Sequence, residues 1–270
     1  MQNAELRMQN FLKFFRLAHR LVVINFVCFV AFLPVIAWFY LLLNSYLHAA
    51  VGISGGMVDI LPGLGYFAGV LLRLPIPAFY FLLAVSAVLF GPLLLGLHAV
   101  AGRMVLGQHV WLSEFFAEAR RNLRQGAALG LILVVAGQLM LWNVFGGLTS
   151  DGAWIGFLIV VSRWVSVGLF LMAGISLPFV CQVAVTMEQP LWIVVKNGVI
   201  LARVRLLRGG FVLLTIAGYW WVTTVTVPWL SLVALPLVSI AIPALVQAWV
   251  CRPVVEKYLV EPRRRMNETV

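Results

Sequence analysis

Residues 103–145 read RMVLGQHVWLSEFFAEARRNLRQGAALGLILVVAGQLMLWNVF. Four arginines lie between Arg103 and Arg124, and no charged residue follows from 125 to 145. An uncharged apolar run of about 20 residues can cross a bilayer as one helix. Lys and Arg accumulate in the cytoplasmic loops beside such runs. The stretch therefore predicts a basic cytoplasmic segment followed by a membrane span.

The same alternation of basic and apolar segments extends over the whole chain. Seventeen of the nineteen Lys and Arg residues fall into four clusters, at 7–20, 103–124, 196–208 and 252–265. Only Arg73 and Arg163 lie outside these clusters. A basic cluster precedes the first predicted span and another follows every second span, so all four clusters are expected on the same, cytoplasmic side of the membrane. The N-terminal and C-terminal segments, which carry two of these clusters, are therefore predicted to be cytoplasmic.

Composition excludes an ordinary soluble domain. The 270 residues are 63% apolar and only 10% charged, whereas soluble domains carry about 25% charged residues. The net charge of +10 lies beside the apolar runs, where anionic lipid headgroups account for it. No nucleic-acid recognition motif accompanies it, so we expect the lipid bilayer and no nucleic acid as a partner.

The apolar runs predict an all-α fold: a polytopic transmembrane helical bundle that forms a single domain over 1–270. About six spans fit the lengths of the runs, at 21–43, 78–101, 126–145, 160–183, 211–227 and 231–250. The last two form a hairpin, because the mostly apolar stretch 211–250 has 40 residues, more than one span needs, and contains Pro228.

Two of the basic segments also carry apolar residues at helical spacing. They predict amphipathic helices at 111–125 and 190–208 that lie along the inner membrane interface. The residues expected to contact anionic lipid or a protein partner are Arg120, Arg121, Arg124, Lys196, Arg203 and Arg205.

Two features of this plan have alternative interpretations. The chain reads as three similar units, each a basic amphipathic helix, a span and a returning span. Any protein built from positive-inside hairpins would show a similar pattern. The outer insertion 44–77 contains six glycines and three prolines yet is mostly apolar. It is interpreted either as an apolar cap over the outer helix ends or as a gate or docking surface.

The reactive residues of the chain are scattered, and their pattern predicts a protein that is not an enzyme. None of the nine carboxylates lies deep in a predicted span, and no nucleophile, phosphate-loop or metal-ligand motif is present. We expect no catalytic residues, no cofactor and no metal site.

Arg163 is the candidate for an intramembrane polar site. If a span begins at Trp154, Arg163 lies about 13 Å along it, where an arginine is costly and indicates function. It would then contact an anionic or hydroxylated solute in a small-solute transporter. The alternative is a span that begins near Arg163, with Arg163 and Trp164 as interface anchors.

Residues 91–126 read GPLLLGLHAVAGRMVLGQHVWLSEFFAEARRNLRQG. This pattern resembles the YesL-like family of bacterial integral membrane proteins, a domain family of unknown function. The matching residues are Gly91, Pro92, Arg103, Gly107, Trp111, Phe115, Phe116, Arg121, Asn122 and Gln125. Two further matches are Asn25, Leu33 and Pro34 in the first span, and Lys196 and Asn197 in the second basic helix. The insertion 44–77 departs from the shortest members of the family.

The resemblance implies a multi-pass protein of the bacterial cytoplasmic (inner) membrane. Members often occur beside genes for carbohydrate uptake and breakdown, which implies an accessory or scaffold role. Components of an ABC-type sugar transporter are then the expected partners. The resemblance supplies no catalytic residues and no oligomeric state.

Overall fold

The structure is a computed structural model that describes residues 20, 22–38, 75–145, 153–222 and 240–262. Within these ranges all regular secondary structure is helical. The helices are α1 (Val22–Trp38), α2 (Ile76–Val105), α3 (Leu112–Arg121), α4 (Leu123–Phe145), α5 (Ala153–Thr186), α6 (Leu191–Val204), α7 (Leu206–Trp221) and α8 (Ala241–Val255). A π-helical turn, Glu256–Val260, continues α8.

Three of the described helices are long and apolar enough to cross a membrane. They are Tyr80–Val105 in α2, Leu123–Val144 in α4 and Trp154–Thr186 in α5, with 26, 22 and 33 residues. A span needs about 20 residues. Two shorter apolar helices, Val22–Trp38 and Leu206–Tyr219, accompany them. The all-helical, membrane-compatible class predicted from the sequence is confirmed at this level.

Several predicted segments extend beyond the described residues. The portions outside the described residues are 21 and 39–43 of the first span, 223–227 of the fifth, 231–239 of the sixth and all of the insertion except 75–77. The second, third and fourth predicted spans, 78–101, 126–145 and 160–183, lie inside α2, α4 and α5. Each of these helices is longer than the span predicted for it.

Helices α2 and α8 occupy the centre of the described bundle. Leu97 of α2 and Ala244 of α8 belong to an apolar cluster that also includes α1 and α3. Leu95 of α2 and Cys251 of α8 belong to a second cluster, built on α5 and α6. Each central helix therefore contributes to both apolar clusters.

Small residues let α4 approach the backbone of α2. A Cβ atom on Gly126 would lie 2.6 Å from Cα of Pro92, and one on Gly130 would lie 2.5 Å from N of Gly91. Both atoms belong to the backbone and cannot rotate away. The Gly126–Gly130 pair, a small-xxx-small pattern, thus packs within the chain against the Gly-Pro pair of α2.

Each short basic helix is separated from the next helix by one residue. Asn122 separates α3 from α4, and Arg205 separates α6 from α7. The predicted helices 111–125 and 190–208 are therefore shorter in the structure, and their last residues belong to α4 and α7. Asn122 donates from Nδ2 to the Glu118 carbonyl (3.0 Å), which also accepts its backbone N–H. This local bond competes with helix continuation.

The N-terminus of α8 is capped by a side chain from α1. Asn25 is fully buried, and its Oδ1 accepts the backbone N–H groups of Ile240 (2.7 Å) and Ala241 (2.8 Å). The first N–H groups of any helix lack partners inside that helix. In apolar surroundings an unpaired N–H is costly, so Asn25 satisfies two groups that the α8 sequence cannot.

We expect Asn25→Leu to destabilise the fold by about 1–3 kcal/mol, because two buried N–H groups lose their acceptor. Asn25→Asp keeps an acceptor oxygen and should lose less. The three cysteines Cys28, Cys181 and Cys251 are buried and unpaired, so a thiol-reactive fluorogenic dye reports unfolding during heating. Equal melting temperatures for Asn25→Leu and the unmodified protein would show that the cap is dispensable.

Candidate functional site: an inner polar cavity beside two basic helices

A polar cavity of about 530 Å³ lies where α2, α3, α5 and α8 converge. The C-terminal ends of α2 and α5 both reach it, so α3 and α6, which follow them, start at the same end of the bundle. The cavity is lined by Ala99, Arg103, Leu106, Glu118, Arg121, Val185, Thr186, Arg252, Glu256, Val260 and Glu261. Three arginines face three glutamates, so its formal charge is balanced.

Glu118 is the centre of an ion-pair network in this cavity. Its side chain is only 7% exposed. Oε1 accepts a hydrogen bond from Nη2 of Arg103, and Oε2 lies 3.2 Å from Nη2 of Arg121 without hydrogen-bond geometry. Nη1 of Arg103 also donates to Glu114 at 2.9 Å. The network joins the last turn of α2 to α3.

Arg252 forms the opposite wall of the cavity. Its Nε donates to Oε1 of Glu256, one turn later, at 3.0 Å. The guanidinium lies against Gly102 of α2, where any Cβ atom would overlap it. Since a glycine at this position leaves room for the guanidinium, α2 and α8 together determine where the positive charge lies.

A second polar pair lies in the core beside the cavity. His98 of α2 and Gln182 of α5 are both buried, with Nδ1 and Nε2 3.3 Å apart. Oε1 of Gln182 has no hydrogen-bond partner in the described part of the chain. His109 lies on the loop before α3 and is exposed, whereas His98 is buried.

Five of the six predicted contact residues are exposed to solvent or lipid: Arg120, Arg121, Arg124, Lys196 and Arg203. Arg121, whose side chain is 51% exposed, also pairs with Glu118, three residues earlier in the same helix. The sixth residue, Arg205, is engaged within the protein. Arg205 donates from Nη2 to the hydroxyl of Tyr258 and lies 5.3 Å from its ring centroid. Only the tertiary contact explains why Arg205 differs from Arg203, two positions earlier.

Large apolar side chains accompany these basic residues at the same end of the bundle. In and beside α3, Trp111 is 59% and Phe116 is 46% exposed. In α6, Trp192 is 76% exposed. Phe115 and Ala119 are instead buried against α2. Each short helix therefore packs on the bundle with one side and leaves aromatic and basic residues on the other.

Several residues of the Gly91–Gly126 stretch have structural roles. Gly107 takes a φ of 72°, a conformation that side chains disfavour, and ends α2. The ring of Trp111 lies 4.2 Å from the guanidinium of Arg20, which also donates to the Val110 carbonyl at 2.8 Å. Gln125 donates from Nε2 to the Gln189 carbonyl at 3.3 Å and connects α4 to the segment before α6.

Arg163 lies in α5, half-buried, beside Trp164, which is 71% exposed. A polar cluster between α4 and α5 surrounds this level of the helix. Nδ2 of Asn143 donates to the Ser162 carbonyl (3.0 Å) and to Oγ of Ser166 (2.6 Å). These are interhelical hydrogen bonds, which commonly join polar residues of neighbouring apolar helices.

Among the described residues, no group of three or more His, Cys, Asp or Glu side chains could hold a metal ion. Comparison of the chain with family models, with curated proteins and with solved structures finds no significant match. The geometry of this end of the bundle is therefore the basis of the function proposed below.

We expect Glu118→Gln to destabilise the fold by about 1–3 kcal/mol, because Arg103 and Arg121 lose a buried carboxylate. The range allows for solvent screening of the partly exposed arginines. The matched control is Glu114→Gln, which removes one ion pair from a side chain that is 33% exposed and should cost less than about 1 kcal/mol. Melting followed by dye labelling of the buried cysteines measures both. Similar losses for the two variants would contradict a central role for Glu118.

Proposed function

We propose that this chain is a non-enzymatic multi-pass protein of the bacterial inner membrane, with about six spans. Its N-terminal and C-terminal segments would be cytoplasmic, and it would act as an accessory or scaffold component. The observation that carries the proposal is the shared end of α3 and α6, where exposed arginine, lysine and aromatic side chains lie together. Such a mixture is typical of a membrane interface.

The geometry of the short helices supports a docking role. Each joins an apolar helix through a single residue, and α3 is anchored to the bundle through Glu118 and Phe115. Their exposed basic side chains are thus presented on a supported surface. Basic side chains so placed suit anionic lipid headgroups or acidic segments of a partner.

A sugar-uptake system is the proposed partner, because the Gly91–Gly126 stretch resembles the YesL-like family, whose members often accompany carbohydrate-uptake genes. An ABC-type sugar transporter has cytoplasmic components that could meet α3 and α6. The exposed residues Arg120, Arg121, Arg124, Lys196 and Arg203 would make these contacts, whereas Arg205 would support the surface from within.

Copurification from native membranes tests this proposal. The tagged protein should capture components of an ABC-type sugar transporter, identified by mass spectrometry. A variant with Gln at 120, 124, 196 and 203 should capture at least about ten-fold less, since several charge contacts of roughly 1 kcal/mol each are removed.

The matched control keeps the charges and changes only the side chains: Arg120→Lys, Arg124→Lys, Lys196→Arg and Arg203→Lys. It should retain most of the capture. If the unmodified protein brings down no transporter component, or if the Gln variant captures as much as the control, the scaffold proposal fails.

A small-solute transporter with a site near Arg163 is the second candidate. The observation that favours it is the polar cluster of Asn143, Ser162 and Ser166 at the same level of α5. An arginine within an apolar helix, beside hydrogen-bonding side chains, could contact an anionic or hydroxylated solute.

The depth of residue 163 distinguishes the two candidates. In whole cells, a membrane-impermeant maleimide should label Arg163→Cys readily if the residue is an outer interface anchor. The matched control is Gly168→Cys, on the same helix and without neighbouring atoms around a Cβ, which should stay unlabelled because it lies about 7 Å further along the span. Labelling at 163 but not at 168 would exclude a midplane site.

A further inference from the structure

An apolar groove runs between α7 and α8 and is separate from the polar cavity. It has a volume of about 570 Å³, within the roughly 300–1,000 Å³ typical of ligand sites. Its lining consists of Leu207, Arg208, Phe211, Trp249, Val250 and Pro253. Five of these side chains are apolar and one carries a charge.

The walls of the groove consist of large apolar side chains that are unusually exposed. Leu207 is 90%, Phe211 is 56% and Trp249 is 65% exposed. Within the described ranges no side chain covers them. Trp is enriched where a membrane meets water, since its ring is apolar and its N–H is polar. A lipid acyl chain is therefore the ligand whose apolar character best matches these side chains.

Arg208 supplies the charge at the rim of the groove. It is the third residue of α7, is exposed and forms no ion pair within the part of the chain that the structure describes. Its neighbour Arg205 is held by Tyr258, so Arg208 is the guanidinium of this turn that faces the groove. The positive end of the α7 dipole adds to the same attraction for an anion.

We propose that this groove binds an anionic phospholipid, with its phosphate at Arg208 and an acyl chain along Phe211 and Trp249. A guanidinium can bind two phosphate oxygens at once, and basic grooves between helices at the cytoplasmic side suit anionic headgroups. The inference rests on the membrane placement in the proposed function. It concerns a lipid ligand and not the protein partner of α3 and α6.

Native mass spectrometry of the full-length protein tests the charge contact. The protein is titrated with phosphatidylglycerol or, separately, with phosphatidylcholine. Phosphatidylglycerol should bind more tightly, and Arg208→Gln should weaken its binding about five-fold, the effect of one basic residue at an anionic surface. The matched control is Lys257→Gln, which removes one positive charge from an exposed position outside the groove and should change binding less than two-fold.

Photocrosslinking tests the position of the acyl chain. Phosphatidylglycerol that carries a diazirine on one acyl chain is reconstituted with the protein in nanodiscs. The labelled peptides should contain 207–211 or 249–253, and Trp249→Ala should reduce this labelling, whereas Trp192→Ala, also an exposed tryptophan, should not. Dye-monitored melting verifies that each variant remains folded.

Three outcomes would overturn the proposal: equal binding of the two lipids, an equal loss with Lys257→Gln, or labelling confined to other segments. Both leaflets of the nanodisc have the same composition, so the result does not depend on the orientation of the chain in a cell. A failure of lipid binding is thus distinguishable from a failure of the scaffold proposal, which copurification measures.

Discussion

The described structure depends on the close approach of neighbouring helices to one helix, α2. A Cβ atom at Gly91 would overlap the backbone of α4, and one at Gly96 would lie 2.9 Å from the carbonyl oxygen of Phe115 in α3. One at Gly102 would meet the flexible guanidinium end of Arg252 from α8, so this contact is the least rigid of the three. Apolar helices in lipid gain little from hydrophobic burial against each other, so close packing has to supply the association energy. The three glycines give each partner helix its own contact on α2.

This arrangement also determines where charge collects. Because α3 and α8 meet the same end of α2, Arg103, Glu118 and Arg252 all line one cavity. Glu118 is buried and needs its two arginines to offset desolvation. The exposed arginines on α3 are therefore presented by a helix that is itself held by charges, and this explains how a ten-residue helix can keep a defined position.

The contact between α1 and α8 shows how a polar residue in an apolar helix can organise the bundle. Asn25 lies in the apolar helix α1, and its position in an apolar run indicates by itself an interhelical hydrogen bond. The partners, the N–H groups of Ile240 and Ala241, are more than two hundred positions away. Neither the periodicity nor the composition of the sequence indicates which residues so far apart in the chain will form a hydrogen bond. The same is true of His98 with Gln182 and of Arg205 with Tyr258.

The amino-acid sequence by itself determined the helical class, the apolar runs long enough to span a membrane and the positions of the basic clusters, since length and charge are local properties. It also indicated short amphipathic helices, because their periodicity is local as well. Only the tertiary structure decided which basic residues are engaged within the protein. Arg203 and Arg205 look equivalent in the sequence, yet Arg205 donates to the hydroxyl of Tyr258 and Arg203 is exposed. The difference arises because such contacts join residues far apart in the chain and depend on which helices meet.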